Sequence, residues 1–255
     1  ARNWSDDEVV RRYCRLFRGA NDPRKHFAPD RAAGRIRCWR ARLADLSWFM
    51  RCLNEAIARR ANLEDGCSGR IWEGRFRSQA LLDEAGLLTC MSYVDLNPIR
   101  AGIAASLGES EFTSIRQRIA EKTTVVAGGA ATRSPETDPG AAGCEPNLIA
   151  FGDAESPANE EALPIELDDY INLLTATGVA LRSGVPGATM PDAAVRTLHQ
   201  LGIARRHWVE TILSYNRRFF VMVGGVHAID IYCGRTDRSR PRGRCWAARA
   251  FRAAA

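Results

Sequence analysis

The stretch that decides the fold is residues 91–102, Met-Ser-Tyr-Val-Asp-Leu-Asn-Pro-Ile-Arg-Ala-Gly, which predicts the last turns of a helix that ends abruptly. Asp83 is the expected N-cap of this helix, and Glu84 falls in its first turn, where the helix dipole favours an anion. Pro98 cannot donate a helical hydrogen bond, and Gly102 supplies a further stop signal. We therefore expect a helix that begins after Asp83 and is broken at Pro98.

The two faces of this helix differ in chemistry. Its apolar stripe, at spacings i, i+4 and i+7, should face a core: Leu87, Met91 and Val94, with Leu88 beside them. Its opposite face is polar and carries Thr89, Cys90, Tyr93 and Asn97. Spacing alone leaves two interpretations of Tyr93. It is an amphipathic residue at the edge of a core, or it is a nucleophile, because tyrosine forms covalent intermediates in some enzymes.

Three ordered segments resemble one family. Residues 93–102, Tyr-Val-Asp-Leu-Asn-Pro-Ile-Arg-Ala-Gly, resemble the Tyr-Ile-x-x-Asn-Pro-[Val/Ile]-[Arg/Lys]-x-Gly signature of the REP-associated tyrosine transposases. Residues 45–60, with Asp-Leu-Ser-Trp-Phe-Met-Arg, and residues 69–78, with Gly-Arg-Ile-Trp-Glu-Gly-Arg-Phe-Arg-Ser, resemble two neighbouring segments of that family. The resemblance covers roughly residues 45 to 118, and three segments in order are more specific than one.

The resemblance implies a fold and a reaction. These transposases belong to the HUH superfamily of single-strand transposases and relaxases, so the expected fold is α+β, a partial ferredoxin-like HUH core of helix, strand and tyrosine helix. The expected reaction is metal-dependent cleavage and strand transfer of single-stranded DNA at hairpins formed by repetitive palindromic elements. Tyr93 would attack a phosphodiester and form a 5′-phosphotyrosine link. Asn97 would help a site for Mg²⁺ or Mn²⁺.

The chain departs from the family pattern in its histidines. The family holds its metal with a His-hydrophobic-His motif, whereas no two of the four histidines here lie two residues apart; they are His26, His199, His207 and His227. The motif is expected upstream of Trp4, before the first residue of this chain. We therefore expect the second half of a catalytic domain, whose single strand lacks partners. Such a chain should be unstable or partly molten, and unable to cleave DNA by itself.

Charge and composition bear on partners and compartment. The net charge of +6 is uneven, at +6 over residues 1–122, −9 over residues 123–170 and +9 over residues 171–255. Two basic blocks around an acidic one suggest surfaces that face a polyanion. Eight scattered cysteines without a Cys-x-x-Cys pair favour reduced thiols and a cytoplasmic protein. No apolar run is long enough for a membrane span, and a homodimer is an open alternative.

Six arginines are candidate DNA contacts. Three lie off the apolar face of a helix that Asp45 should cap, a face formed by Leu46, Phe49, Met50, Leu53 and Ile57; they are Arg51, Arg59 and Arg60. Arg75 and Arg77 lie on one side of a strand predicted over residues 71–82, opposite Trp72 and Phe76. Arg100 belongs to the signature around Tyr93. Guanidinium groups pair well with phosphate oxygens, although such residues also commonly face only water.

The rest of the chain predicts further helices around a linker. Residues 1–20 predict a helix with a capping box, Ser5 to Glu8, and residues 21–36 predict a loop before a helix that begins near Cys38. The expected domains are residues 1–122, a Gly/Ala-rich acidic linker over 123–162, and a basic, mostly helical module over 163–255. That module should contain helices near residues 167–174, 191–201 and 206–220. Its last basic run, residues 235–252, is either a nucleic-acid arm or a frayed tail.

Two other functions stay open at this stage. One is a non-catalytic DNA-binding protein, a relic or repressor of the same family, which would keep the basic surfaces without using Tyr93. The other is a structural helical interaction domain whose motif matches are coincidental. Salt-sensitive binding of single-stranded DNA would separate the first from the second, because phosphate contacts weaken as salt rises.

Overall fold

The computed structural model describes residues 1–17, 19–126, 148–152, 162–163, 165–183, 190–237 and 242–251. These residues are mostly helical and include one two-stranded parallel sheet, so the fold is α+β in the coarse sense. Within the described ranges, no helix combines the length and apolar character required to span a bilayer. The chain divides into two compact units, Ala1–Ser78 and Gln79–Ala255, which differ from the domain limits expected above.

The first unit contains helices α1 (Asp6–Leu16), α2 (Pro29–Leu43) and α3 (Leu46–Glu64). The predicted caps are confirmed at two of them. The Ser5 hydroxyl accepts a hydrogen bond from the Glu8 N–H at 3.2 Å, and Asp45 Oδ1 accepts one from the Trp48 N–H at 2.8 Å. A small core joins α1 to α2 and consists of Val9, Val10, Tyr13, Ile36 and Trp39.

Helix α2 corrects the loop predicted over residues 21–36. It begins at Pro29, well before Cys38, because proline at the first helical position has no N–H to satisfy and has its φ angle already set. Only a single turn of 3₁₀ helix, Pro23–Lys25, and its neighbours remain irregular in that region.

Helix α3 has the predicted apolar face, but that face is not buried. Leu46, Phe49, Leu53 and Ile57 are all more than 40% exposed, and the helix has no buried residue. The following segment is tied to α3 by hydrogen bonds, among them that of the Trp72 indole N–H, which donates to the Asn54 carbonyl at 3.0 Å, and that of the Asn62 side-chain amide, which donates to the Gly69 carbonyl at 3.2 Å. The amphipathic pattern predicted the helix correctly without identifying what would cover it.

The strand predicted over residues 71–82 is wrong for most of its length. Only Ala80–Leu81 (β1) is a strand, and residues 71–79 are irregular and largely exposed. The expectation that this strand lacks a partner is also wrong. β1 pairs in parallel with Met222–Val223 (β2), in the register Ala80 with Met222 and Leu81 with Val223. A strand needs a hydrogen-bonded neighbour, and here the neighbour extends over two residues only.

The second unit is built mainly of helices around this short sheet. After β1 come α4 (Glu84–Asp95), α5 (Asn97–Arg100), α6 (Ser114–Val126), α7 (Leu167–Ser183), α8 (Asp192–Gln200) and α9 (Arg205–Arg218). After β2 come α10 (Val226–Thr236) and α11 (Arg244–Ala250). The core lies chiefly between α4, α5, α7, α8 and α9, and its largest fully buried side chains include Trp208, Tyr170, Phe219, Leu96, Leu173 and Leu174.

The buried face of α4 is rotated relative to the predicted stripe. Leu88 is buried as expected, but Val94 is 54% exposed and Thr89 is fully buried. Thr89 finds a hydrogen-bond partner within the helix. The Thr89 hydroxyl donates to the Ala85 carbonyl at 2.6 Å, so its burial leaves no hydrogen bond unmade.

The predicted C-terminal helices are confirmed as α7, α8 and α9. Part of the predicted linker is helical, because α6 extends to Val126, whereas residues 127–147 and 153–161 lie outside the described residues. The basic run of residues 235–252 is neither a frayed tail nor a projecting arm in the part that the structure describes, residues 235–237 and 242–251. Trp246 and Phe251 are about 95% buried, and the Trp246 indole N–H donates to the Thr211 hydroxyl at 3.1 Å.

Candidate functional site

Tyr93 is positioned by a helix whose beginning is held firmly. Asp83 Oδ1 accepts a hydrogen bond from the Gly86 N–H at 2.8 Å, which confirms the predicted cap. Its other oxygen accepts from the Gly225 N–H at 2.5 Å, at the beginning of α10. Strand β2 approaches the start of α4 so closely that residue 86 must be glycine, because a Cβ there would lie 2.5 Å from the Val223 carbonyl oxygen. One carboxylate therefore joins the start of α4 to the start of α10.

The Tyr93 side chain is half-buried against helix α9. Its ring stacks on that of Tyr215, with centroids 4.5 Å apart and planes 20° apart. Its hydroxyl oxygen accepts a hydrogen bond from the Asn216 side-chain amide at 2.5 Å. Because the phenolic oxygen accepts this bond, the phenolic proton is available to another acceptor.

Asn97 and Arg100 lie beside Tyr93, as the signature predicts. The helix breaks between Asp95 and Asn97, so that Pro98 is near the start of α5 and Arg100 is at its end. The Arg100 guanidinium lies 4.5 Å from the centroid of the Tyr93 ring, and its Nη1 donates to Asn97 Oδ1 at 3.1 Å. Within the described part of the chain, no carboxylate forms an ion pair with Arg100. An arginine without such a partner is suited to bind an anion.

Tyr215 supports the Tyr93 ring from a buried position. It is 3% exposed, and its hydroxyl donates to the Gln79 side-chain oxygen, just before β1. Burial raises the pKa of Tyr215 far above the ordinary tyrosine value, and the neighbouring Cys90 and Tyr93 raise it further. Tyr215 therefore stays neutral across physiological pH and acts as a stacking partner.

A second polar network anchors the C-terminal end of α4, at Asp95. Asp95 is 2% exposed and accepts hydrogen bonds from the Tyr170 hydroxyl at 2.8 Å, the Ser114 hydroxyl at 3.1 Å and the Ile115 N–H at 3.3 Å. These bonds join α4 to the start of α6 and to α7. Burial and the adjacent Asp95 carboxylate raise the pKa of Tyr170 well above its ordinary value. Asp95 therefore fixes the helix that carries Tyr93.

The residues around Asn97 do not fit the divalent metal that the resemblance implies. Mg²⁺ is usually bound through carboxylate oxygens, whereas the Asn97 oxygen already accepts a hydrogen bond from a guanidinium cation. Among the residues that the structure describes, no group of three or more His, Cys, Asp or Glu side chains could hold a metal ion. Asn97 here orients Arg100.

The other five predicted DNA-binding arginines belong to the first unit. Arg59 pairs with Glu55 at 2.5 Å and Arg60 with Glu64 at 2.8 Å, so both charges are locally balanced. The Arg51 guanidinium lies 5.2 Å from the Trp48 ring centroid. Arg75 and Arg77 are exposed on the irregular segment before β1, so they do not lie on the strand face predicted for them.

Three residues of the site were not identified from the sequence, namely Gln79, Tyr215 and Asn216. Residues 215–218, Tyr-Asn-Arg-Arg, combine an aromatic, an amide and two basic side chains, and that combination is the signal that could have indicated a polar site. Nothing local connects it to Tyr93, which precedes Tyr215 by more than a hundred residues.

Comparisons with protein-family models, curated proteins and solved structures find no match to this chain. The transposase resemblance therefore rests on the three sequence segments quoted above, and the chemistry is argued from the geometry of the site.

Proposed function

We propose that this chain belongs to a single-strand DNA transposase of the REP-associated type, with Tyr93 as the nucleophile. On this proposal the short strand β1 and the tyrosine helix α4 are part of an HUH core. The substrate is a hairpin-forming single strand of DNA.

The observation that carries the proposal is the surroundings of Tyr93. A half-buried phenol accepts a hydrogen bond from the Asn216 amide and lies beside the Arg100 guanidinium. A tyrosine that served only as packing also needs a hydrogen-bond partner for its hydroxyl, so the Arg100 guanidinium, which forms no ion pair within the described residues, is the feature that favours a phosphate. A tyrosine that attacks a phosphodiester needs a donor for the negative charge on its oxygen and a cation for the phosphate.

In the proposed step, the Tyr93 oxygen forms a bond to phosphorus, and the bond from phosphorus to the 3′ oxygen breaks. The phenolic proton passes to solvent, and the departing 3′ oxygen takes a proton from solvent. The product is a 5′-phosphotyrosine link with a free 3′-hydroxyl, so the energy of the phosphodiester bond is kept for strand transfer. Arg100, oriented by Asn97, would contact a non-bridging phosphate oxygen.

The divalent metal implied by the resemblance would need ligands outside the described residues, because those around Asn97 do not fit it. Tyr93 would then lack part of the electrostatic assistance that phosphoryl transfer requires. We therefore propose that these 255 residues bind the DNA hairpin and cleave it poorly or not at all by themselves.

A non-catalytic DNA-binding role is the second candidate, and it is favoured by the poor fit of a divalent metal to the residues around Asn97. The lack of fit for a metal removes a reason to expect cleavage, while Arg100 and the basic first unit remain able to bind phosphates. The two candidates differ in whether Tyr93 ever becomes linked to DNA.

The experiment is a denaturing gel with an end-labelled single-stranded hairpin and Mg²⁺ or Mn²⁺. The chain described here is compared with a longer chain that continues upstream through the reading frame, and each is made with Tyr93 and with Tyr93→Phe. We expect a covalent protein–DNA band from the longer Tyr93 chain and none from its Tyr93→Phe variant. The absence of any band, with hairpin binding retained, would support the non-catalytic role. A band from the Tyr93→Phe variant would contradict the proposed nucleophile.

A further inference from the structure

The first unit contains a cavity that the Tyr93 site does not explain. Its volume is about 460 Å³, within the range of small-molecule sites, and it lies among α1, the turn Pro23–Lys25 and α2. Its wall includes four aromatic rings and two guanidinium groups, from Tyr13, Phe17, Phe27, Trp39, Arg35 and Arg42.

The aromatic part of the wall is rigid at its base and open at its rim. Tyr13 and Trp39 are about 94% buried and stack with their centroids 4.2 Å apart and their planes 4° apart. The Phe17 ring lies 4.5 Å from Tyr13. Phe27, in contrast, is 41% exposed on the segment before α2. An exposed ring beside fixed rings provides a surface on which another flat ring can stack.

The cationic part of the wall lies directly on these rings. The Arg35 guanidinium is 4.7 Å from the Phe27 ring centroid, and Arg42 donates to the Tyr13 hydroxyl at 2.9 Å. Among the residues described in this unit, no carboxylate forms an ion pair with Arg35 or Arg42, whereas Arg59 is paired with Glu55. The charges of Arg35 and Arg42 are thus available to an anionic ligand.

A second recess continues the same surface past Arg42. It is lined by Arg42, Trp48 and Arg51 among others, and both guanidinium groups lie within about 5 Å of the Trp48 ring centroid. The Trp48 indole N–H is buried and has no hydrogen-bond partner within the described chain.

We propose that this surface binds unpaired nucleotides of a single-stranded nucleic acid. A base stacks in the aromatic cavity against Phe27, and the backbone phosphates lie along Arg35, Arg42 and Arg51. Alternation of aromatic rings with arginines is the chemistry by which proteins hold single strands, because every base has a face that stacks and every linkage carries a charge. The unit as a whole has 18 Lys and Arg against 10 Asp and Glu, a net charge of +8, which favours the approach of a polyanion.

The proposal is independent of the chemistry at Tyr93, so it is tested in the full chain carrying Tyr93→Phe, where no cleavage can occur. Fluorescence anisotropy would measure the binding of a labelled single strand of about 12 nucleotides, an RNA strand of the same sequence and the corresponding DNA duplex. We expect the DNA strand, the RNA strand or both to bind more tightly than the duplex. Equal or tighter binding of the duplex would overturn the proposal, because paired bases are not free to stack.

Three substitutions then distinguish a defined binding site from non-specific electrostatic attraction of the nucleic acid. Phe27→Leu keeps an apolar side chain but removes the ring, and Arg35→Gln removes one charge inside the cavity. Arg11→Gln removes the same charge outside it, from an exposed arginine of α1 that pairs with Glu8. We expect the first two to weaken single-strand binding about tenfold each, equivalent to about 1.4 kcal/mol, and the third to weaken it less than twofold. Phe27 and Arg35 are exposed, so circular dichroism should show the fold unchanged in both.

Two results would overturn the proposal at this step. The first is an equal loss of affinity in Arg35→Gln and Arg11→Gln, which would indicate attraction by net charge alone. The second is unchanged affinity in Phe27→Leu, which would mean that no base stacks on Phe27.

Discussion

Replacing Tyr215 with alanine should destabilise the second unit more than any change on the exposed side of α9. Tyr215 is 3% exposed, and its ring packs against those of Tyr93, at 4.5 Å, and Phe219, at 5.5 Å. Removal of a buried aromatic ring leaves a cavity and typically costs about 3–5 kcal/mol. We therefore expect Tyr215→Ala to lower the free energy of unfolding by that amount, which corresponds to a drop in Tm on the order of 10 °C.

The assay is urea unfolding followed by circular dichroism, with Leu213→Ala as the matched control. Leu213 lies on the same helix but is 49% exposed, so its replacement should cost only about 1 kcal/mol. Similar losses in the two variants would refute the packing of α9 described here.

A double-mutant cycle tests the contact between the two tyrosines directly. Stacked aromatic pairs contribute about 0.5–1.5 kcal/mol beyond burial, so Tyr93→Ala and Tyr215→Ala should be non-additive by about 1 kcal/mol. Additivity within about 0.3 kcal/mol would mean that the rings do not interact.

Two further predictions concern stability. The pKa of Tyr170 is raised in the folded state by burial and by Asp95, so the folded state disfavours its ionisation. Stability should therefore be intact below the ordinary tyrosine pKa of about 10 and should fall as the pH rises above it. Urea unfolding from pH 7 to 11 should show a smaller alkaline loss in Tyr170→Phe, and an unchanged loss would contradict this. Gly86→Ala should cost about 1–3 kcal/mol because its Cβ would lie 2.5 Å from the Val223 carbonyl oxygen. Gly234→Ala in α10, where no described atom lies within 4 Å of the added Cβ, should stabilise by about 0.5–1 kcal/mol. Thermal melts that rank the two glycine variants in the opposite order would refute this local geometry.

The features predictable from the sequence are those set by near neighbours in the chain. Ser5, Asp45 and Asp83 were identified as caps because a cap acts on an N–H three residues away. The grouping of Tyr93, Asn97 and Arg100 follows in the same way from one and two helical turns.

The features that were missed depend on partners distant in the chain. Ala80 pairs with Met222, and two paired residues cannot produce the alternation of a longer strand. The buried face of α4 was assigned by apolarity alone, whereas polar Asp95 is buried because Tyr170 and Ser114 donate to it. Neither partner can be identified from spacing within α4.

The most direct test of the central proposal is to identify the residue that becomes linked to DNA. The longer chain would be incubated with a single-stranded hairpin and a divalent cation, then digested with nuclease and trypsin and analysed by mass spectrometry. We predict a nucleotide adduct on the peptide of residues 78–100, at Tyr93. An adduct on another tyrosine, such as Tyr215, would contradict the proposal.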